Sequence, residues 1–177
     1  MQNLSFRKME KADLPAVVRI ENDCQSHPWS LMQFLEGFHA GHSGWLATRE
    51  VDGAELLVGF AIVMSVLDEC SLLNICIQPD CQKQGFGWQL LEFVLARAAA
   101  DNMTRMFLEV RASNKAAIRL YERAGFEQVS VRRDYYPAVV GREDGLVYIL
   151  SSFSSGSLPD ASSPESGRLC SSSSEPS

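Results

Sequence analysis

The chain has 177 residues, with 16 Lys and Arg against 22 Asp and Glu and a formal net charge of −6 at pH 7. At 46% hydrophobic and 21% charged residues it has the composition of one globular domain with enough apolar side chains for a core. The acidic balance excludes nucleic-acid binding through bulk positive charge, and no apolar run reaches the ~18–20 residues that span a bilayer.

The opening stretch MQNLSFRKMEKADL lacks the apolar segment of a signal peptide, so the expectation is a cytoplasmic protein with no direct nucleic-acid partner and no membrane partner. The cysteines (Cys24, Cys70, Cys76, Cys81 and Cys170) are odd in number and do not form a disulfide framework on paper. Their spacing, with His27, His39 and His42 far upstream, does not match a metal site.

In chain order, Phe6 opens a short strand. Asp13 is placed to cap a helix with Pro15 in its first turn, and Leu14, Val17 and Ile20 form its apolar face. Ser30 is a second N-cap candidate, before Leu31, Phe34, Leu35 and Phe38 at helical spacing. Residues 44–49 and 56–66 read as strands joined by a turn at Asp52-Gly53, and 72–78 as a further strand ended by Pro79-Asp80. A helix follows with Leu90, Leu91, Val94, Leu95 and Ala98 on one stripe, then a strand over 106–111. Ser113 is the expected cap of a helix running to Ala124, with Gly125 ending it in the left-handed conformation. Residues 129–133 and 146–150 read as closing strands around a loop rich in Tyr, Pro and Gly. The expected class is α+β, or α/β with a mixed sheet, over residues 1–150. Residues 151–177 carry 13 serines in 27 positions and almost no aliphatic side chains, a composition expected to stay disordered.

The chemistry concentrates at three places. Residues 82–87 (QKQGFG) lie between a strand and a helix. There, two glycines let the backbone approach a ligand and the free amides of the helix start favour an anion such as a pyrophosphate, with Lys83 adding a charge. No G-K-[ST] follows and the third Gly of a dinucleotide fingerprint is missing. Glu109 is a carboxylate in an apolar strand, sharing a face with Phe107 and Arg111. It is either paired with a cation such as Arg111 or Arg132, or it is a general base at a cleft edge with its proton affinity raised by partial burial. Tyr121 is either packed on the core with its hydroxyl at the surface, or it is a general acid that is protonated at neutral pH. Asn114 reads as a first-turn polar residue.

Together, NICIQPD over 74–80, QKQGFG over 82–87, LEVRASN over 108–114 and LYERAGF over 120–126 resemble the GNAT acetyltransferases. HPWS at 27–30, RRDYYP at 132–137 and GRED at 141–144 make the chain most similar, within that superfamily, to the bacterial ribosomal-protein-alanine N-acetyltransferases (RimI). The resemblance covers about residues 1–150. It implies a mixed, mostly antiparallel sheet flanked by helices, with a splayed pair of strands binding acetyl-CoA as co-substrate. It also implies that Ile75, Cys76 and Ile77 offer backbone to the pantetheine arm, an amide there polarising the thioester carbonyl. Gln82, Lys83, Gln84, Gly85, Phe86 and Gly87 would cradle the pyrophosphate, and Asn114 would bond the cofactor near its thiol end. Glu109 matches the general base and Tyr121 the general acid. The Cys76 thiol departs from the small apolar residue common there and is expected to point away from the ligand.

The implied substrate is a protein N-terminus, the alanine of a small-subunit ribosomal protein, with the enzyme a monomer or weak dimer. Trp29, Tyr135 and Tyr136 are candidate walls of the peptide groove, or else packing residues. An acetyltransferase for another amine (a lysine side chain, a polyamine or an antibiotic) and a non-catalytic acetyl-CoA sensor are the alternatives. A sensor needs neither Glu109 nor Tyr121.

Overall fold

The structure, a computed structural model, describes residues 4–138 and 140–153. The serine-rich segment therefore lies, from residue 154 onward, outside the described residues. Strands β1 (Ser5–Lys8), β2 (Ser43–Val51), β3 (Ala54–Val66), β4 (Glu69–Ile77), β5 (Arg105–Arg111), β6 (Glu127–Pro137) and β7 (Arg142–Leu150) alternate with helices α1 (Leu14–Cys24), α2 (Leu31–His39), α3 (Phe86–Ala100) and α4 (Lys115–Arg123).

The local signals act much as their chemistry requires. Asp52 and Gly53 both take positive φ (52° and 78°) and turn β2 back on β3. Ser30 accepts from the Gln33 amide, and the Gln33 side chain returns to the Ser30 amide, closing a capping box on α2. Three expectations are corrected. Asp13 stands at the start of α1 but caps nothing there, because its carboxylate is drawn back to Arg7 (2.9 Å) and the Glu10 amide. Asn114, not Ser113, caps α4, its side-chain oxygen accepting from the Ala117 amide. The expected loop between the closing strands is largely strand: β6 runs through Tyr135 and Tyr136 to Pro137, with irregular register between Arg132 and Tyr136.

The strands form one sheet in the order β1-β2-β3-β4-β5-β7-β6. All neighbours are antiparallel except β4 and β5, which pair in parallel only from Glu69 and Arg105 to Leu72 and Leu108. Beyond that point the two strands part. Helices α1 and α2 cover one face through Leu14, Val17, Ile20 and Phe34, against Leu46, Phe60, Ile62 and Cys76. Helices α3 and α4 cover the other through Leu90, Leu91, Val94, Ile118 and Tyr121, against Met106, Leu108, Val110 and Tyr148.

The register of β3 on β4 slips between Ile62, opposite Asn74, and Val63, opposite Leu72, so Leu73 is an extra residue. Side chains alternate with period two, so this bulge exchanges the faces. Cys70 and Leu72 pack on the α3 side, whereas Cys76 packs on the α1 side and Ile75 and Ile77 turn toward α3. The slip thus presents Ile75 and Ile77 at the place where β4 leaves β5.

Candidate active site

The gap between β4 and β5 opens into a cleft of about 620 Å³. Its floor is Ile75 and Ile77 of β4, one wall is the start of α3 with Gly85 and Gly87, and the other carries Glu109 of β5 with Asn114, Leu120 and Tyr121 of α4. Gly85 has φ of 83° and initiates α3 in a left-handed conformation, which lets the chain turn from Lys83 (φ 59°) straight into the helix. The Gln89 amide bonds the Gly85 carbonyl, leaving the amides of Phe86, Gly87 and Trp88 without an intrahelical acceptor at the cleft mouth. A Cβ on Gly87 would meet nothing closer than Ile77 Cγ1 at 3.7 Å, so that position is open to a ligand. A glycine turn, free helix-start amides and Lys83 suit a pyrophosphate.

Not every residue of this stretch faces the cleft with its side chain. Gln82 and Gln84 are spent on the loop itself, donating to the Ile77 and Asp80 carbonyls at 3.0 and 3.1 Å. Phe86 is buried against Val58 and Cys81. The Cys76 thiol points to the opposite face, within 3.4 Å of Glu21 Oε2, so only its backbone is turned to the gap. Neighbouring Cys24, burial and Glu21 together push that thiol far above its ordinary proton affinity.

Glu109 is ion-paired with Arg132 of β6 at 2.9 Å, its side chain 31% exposed. The cross-strand cation and the cleft position therefore coexist. Tyr121 is 6% exposed, its ring set against Phe126, and burial raises its hydroxyl well above the ordinary tyrosine value. Tyr136 lines the cleft too, its hydroxyl pushed up first by burial and then by the Glu109 carboxylate. Trp29 lines the opposite end and tilts onto Phe34. Tyr135 is not brought to the cleft: it packs edge-on to Tyr136 under the Arg132 guanidinium, 42% exposed.

Sequence reasoning missed several groups. Glu21 of α1 is 1% exposed, yet it accepts from the Trp29 amide (2.9 Å) and Asn74 Nδ2 (3.0 Å), tying the Trp29 loop to β4. Its place on the helical face of Leu14 and Val17 was the available signal. Arg111 gathers Glu143 (2.8 Å), the Pro137 carbonyl (2.7 Å) and His27 Nδ1 (3.2 Å), while its guanidinium lies over the Tyr136 ring. Glu143 also accepts from the Ser113 amide, and Ser113 and Arg111 hold its carboxyl below the usual range.

A mixed sheet split between a parallel pair, with a glycine turn and free amides at the mouth of the split, defines an acyl-carrier-dependent transferase scaffold. The acetyltransferase (GNAT) family model matches residues 14–126, and the chain belongs to that family. It is an N-acetyltransferase whose acetyl donor is acetyl-CoA.

The chain is 39% identical over 146 residues to the ribosomal protein bS18-alanine N-acetyltransferase of Escherichia coli (strain K12), covering 82% of this chain and 96% of that protein. It is 35% identical to the enzyme of the same name from Haemophilus influenzae, covering 79% and 93%. The crystal structure of the ribosomal-protein-S18-alanine N-acetyltransferase from Escherichia coli superposes with a TM-score of 0.77 at 38% identity, covering 84% of this chain and 93% of that one. The fold expected from the sequence is borne out. Among the described residues no helix is long and apolar enough to cross a membrane.

Proposed function

We propose that the protein acetylates the N-terminal α-amine of a protein, with the N-terminal alanine of ribosomal protein S18 as substrate, Glu109 as general base and Tyr121 as general acid. The observation that carries the chemistry is that a carboxylate from β5 and a phenol from α4 line one cleft where β4 and β5 separate. The substrate rests on the names of relatives such as the Escherichia coli enzyme, which the chain covers almost end to end.

Bound acetyl-CoA supplies an acetyl thioester. An α-amine with a pKa of about 7.7–8.0 is partly neutral at physiological pH, and Glu109, directly or through water, removes the remaining proton as the nitrogen attacks. A β4 amide near Ile77 holds the thioester oxygen in this reading. Tyr121, kept protonated by burial, gives its proton to the departing sulfur. The Asn114 side-chain oxygen is committed to its helix cap, so its NH2 is the group offered to the cofactor's thiol end. Cys76 is on the wrong face and Cys81 is 3% exposed among Val58 and Phe86, so direct attack is preferred to an acyl-cysteine route. Trp29 and Tyr136 are proposed as groove walls, and residues 1–150 as the catalytic domain.

The test is CoA release with acetyl-CoA and a panel of amines: peptides beginning with Ala, the same peptides N-terminally blocked with an internal Lys, and spermidine. Release only with a free N-terminal Ala is expected. Release only with Lys or spermidine would overturn the substrate, and tight acetyl-CoA binding without release would make the protein a sensor.

A further inference from the structure

The proposed chemistry leaves unused a pair of thiols on the α1 face of β4. Cys24 ends α1, Cys76 precedes Ile77 in β4, and the two side chains share a hydrogen bond. Contacts on either side of that bond cross the same gap: Cys24 Sγ donates to the Ile77 carbonyl at 3.2 Å, and Gln25 Nε2 donates to Cys76 Sγ at 3.3 Å. Both cysteines are free.

Their surroundings differ in the way an oxidisable pair requires. Of the four cysteines among the described residues, only Cys24 is not buried. The bond from Cys76 holds the Cys24 thiol below its ordinary proton affinity, against burial and the Glu21 and Asp23 carboxylates. A readily ionised thiol within reach of solvent reacts with peroxides, and a second thiol beside it can then displace the oxygen. Cys76 is 4% exposed, but its Sγ lies 3.4 Å from Glu21 Oε2, a carboxylate able to take its proton. Cys70, by contrast, is buried on the α3 side, with its thiol pushed up to about 11 by burial and then by Asp101.

We propose that Cys24 and Cys76 form a peroxide-sensitive modification site, at which oxidation ties α1 to β4 and loosens the peptide groove. The Cys24 thiolate attacks hydrogen peroxide: an S–O bond forms, the O–O bond breaks, and the released hydroxide takes up the proton that Cys24 gave. The Cys76 sulfur then attacks the Cys24 sulfur. The S–S bond forms as the S–O bond breaks, and the Cys76 proton leaves, by way of Glu21, with the hydroxide as water. Two electrons pass from the thiols to the peroxide, which ends as two waters. A disulfide sulfur carries no proton, so Ile77 loses its bond from Cys24 and Glu21 loses its contact with the Cys76 thiol. Glu21 also holds the Trp29 amide at 2.9 Å, so the loss falls on a wall of the groove. The linkage rests on the thiols alone, whereas its effect rests on the function proposed above.

The test treats the full chain with hydrogen peroxide, maps it without reductant by mass spectrometry and follows peptide kinetics in parallel. A Cys24–Cys76 linkage, lighter than the dithiol by two hydrogens, is expected together with a several-fold higher peptide KM, both reversed by dithiothreitol. Cys24→Ser keeps a donor for the Ile77 carbonyl and is expected to retain the untreated KM but lose the response. Cys76→Ala, without the second thiol, is expected to carry Cys24 on to sulfinic acid, which dithiothreitol does not reverse.

Sulfinic acid at Cys24 of the wild type, a linkage through Cys70, Cys81 or Cys170 instead, or a response that persists in Cys24→Ser overturns the pair. A Cys24–Cys76 linkage with an unchanged peptide KM overturns its effect on the groove. An untreated chain that turns over no peptide would instead sink the function proposed above, and the effect on the groove with it.

Discussion

The two halves of the sheet that meet at the cleft are held by different forces. On the β4 side, Leu46, Ala47, Phe60 and Ala61 are at most 1% exposed, and helices cover both faces of the sheet. On the β6–β7 side, β6 is an edge strand whose residues are exposed except for Tyr136, and charges hold it in place. Arg132 pairs with Glu109, Arg133 with Asp144 and Arg111 with Glu143, and Arg142 reaches the Asp134 and Tyr135 carbonyls. Burial fixes the wall proposed to hold the acetyl donor, and ion pairs fix the wall proposed to receive the peptide. A wall held by partly exposed pairs is adjustable and screened by salt.

Chemistry at the seam should give the largest effects. Glu109→Gln is expected to lower turnover by about 10²–10⁴-fold with acetyl-CoA affinity unchanged. Equal rates for wild type and variant across pH 6–9 would remove Glu109 from the base role. Tyr121 has its proton affinity raised by burial, so its acid form persists above the ordinary value of about 10. The rate measured up to pH 10 should therefore show no alkaline loss from this group, whereas Tyr121→Phe is slow at every pH.

Next comes a break in the buried wall. A Cβ on Gly59 would stand 2.4 Å from the Cys76 carbonyl and 2.6 Å from Ile77 Cδ1, so β3 and β4 must move apart. Gly59→Ala is expected to cost about 1–3 kcal/mol in denaturant unfolding and to weaken acetyl-CoA binding as well.

The charged wall should answer differently. Glu143→Gln is expected to lower stability by about 1 kcal/mol or less and to raise the peptide KM several-fold, leaving acetyl-CoA affinity alone. The Glu143 carboxyl is held below its unfolded value of about 4.3, so its contribution is present above that pH and lost as pH falls through the lower folded value. Amide exchange in β6 and β7 should therefore rise in acid before exchange in β3 does. Arg7 likewise pairs with Asp13 and Glu55 over β1 and holds both carboxyls below their usual range, but there the neighbouring strand is already fixed by burial. The smallest effect is expected for removal of residues 154–177, which should leave turnover and unfolding midpoint unchanged. Residue Phe153 is retained because it packs on the core.

Legibility in the sequence follows the same division. The Asp52-Gly53 turn, the Ser30 cap, the stripe of α3 and the glycine turn before it were readable because each is set by local chemistry. The length of β6 was hidden because an edge strand with both faces wet shows no alternation of apolar and polar residues. Ser113 and Asn114 are both competent caps, and only the chain direction out of β5 decides between them. The role of Glu21 was not legible, since its partners lie eight and 53 positions away. The cleft position of Tyr121 could be guessed from its motif, but the absence of Tyr135 from the cleft depends on how β6 bends between Arg132 and Tyr136.

The extra residue at Leu73 also predicts how the chain tolerates change along β4. Before it, substitutions at even positions damage the α3 core; after it, even positions damage the α1 core and odd ones alter the groove. A saturation scan of residues 69–77 should find the even positions sensitive throughout, with the core they damage changing from the α3 side to the α1 side at Leu73. Deleting Leu73 would leave Leu72 and Asn74 as consecutive partners of Val63 and Ile62, so the faces on both sides would be kept and only the local bend of the bulge lost. The bulge therefore shapes the place where β4 leaves β5, while the alternation on either side of it decides which residues line the groove.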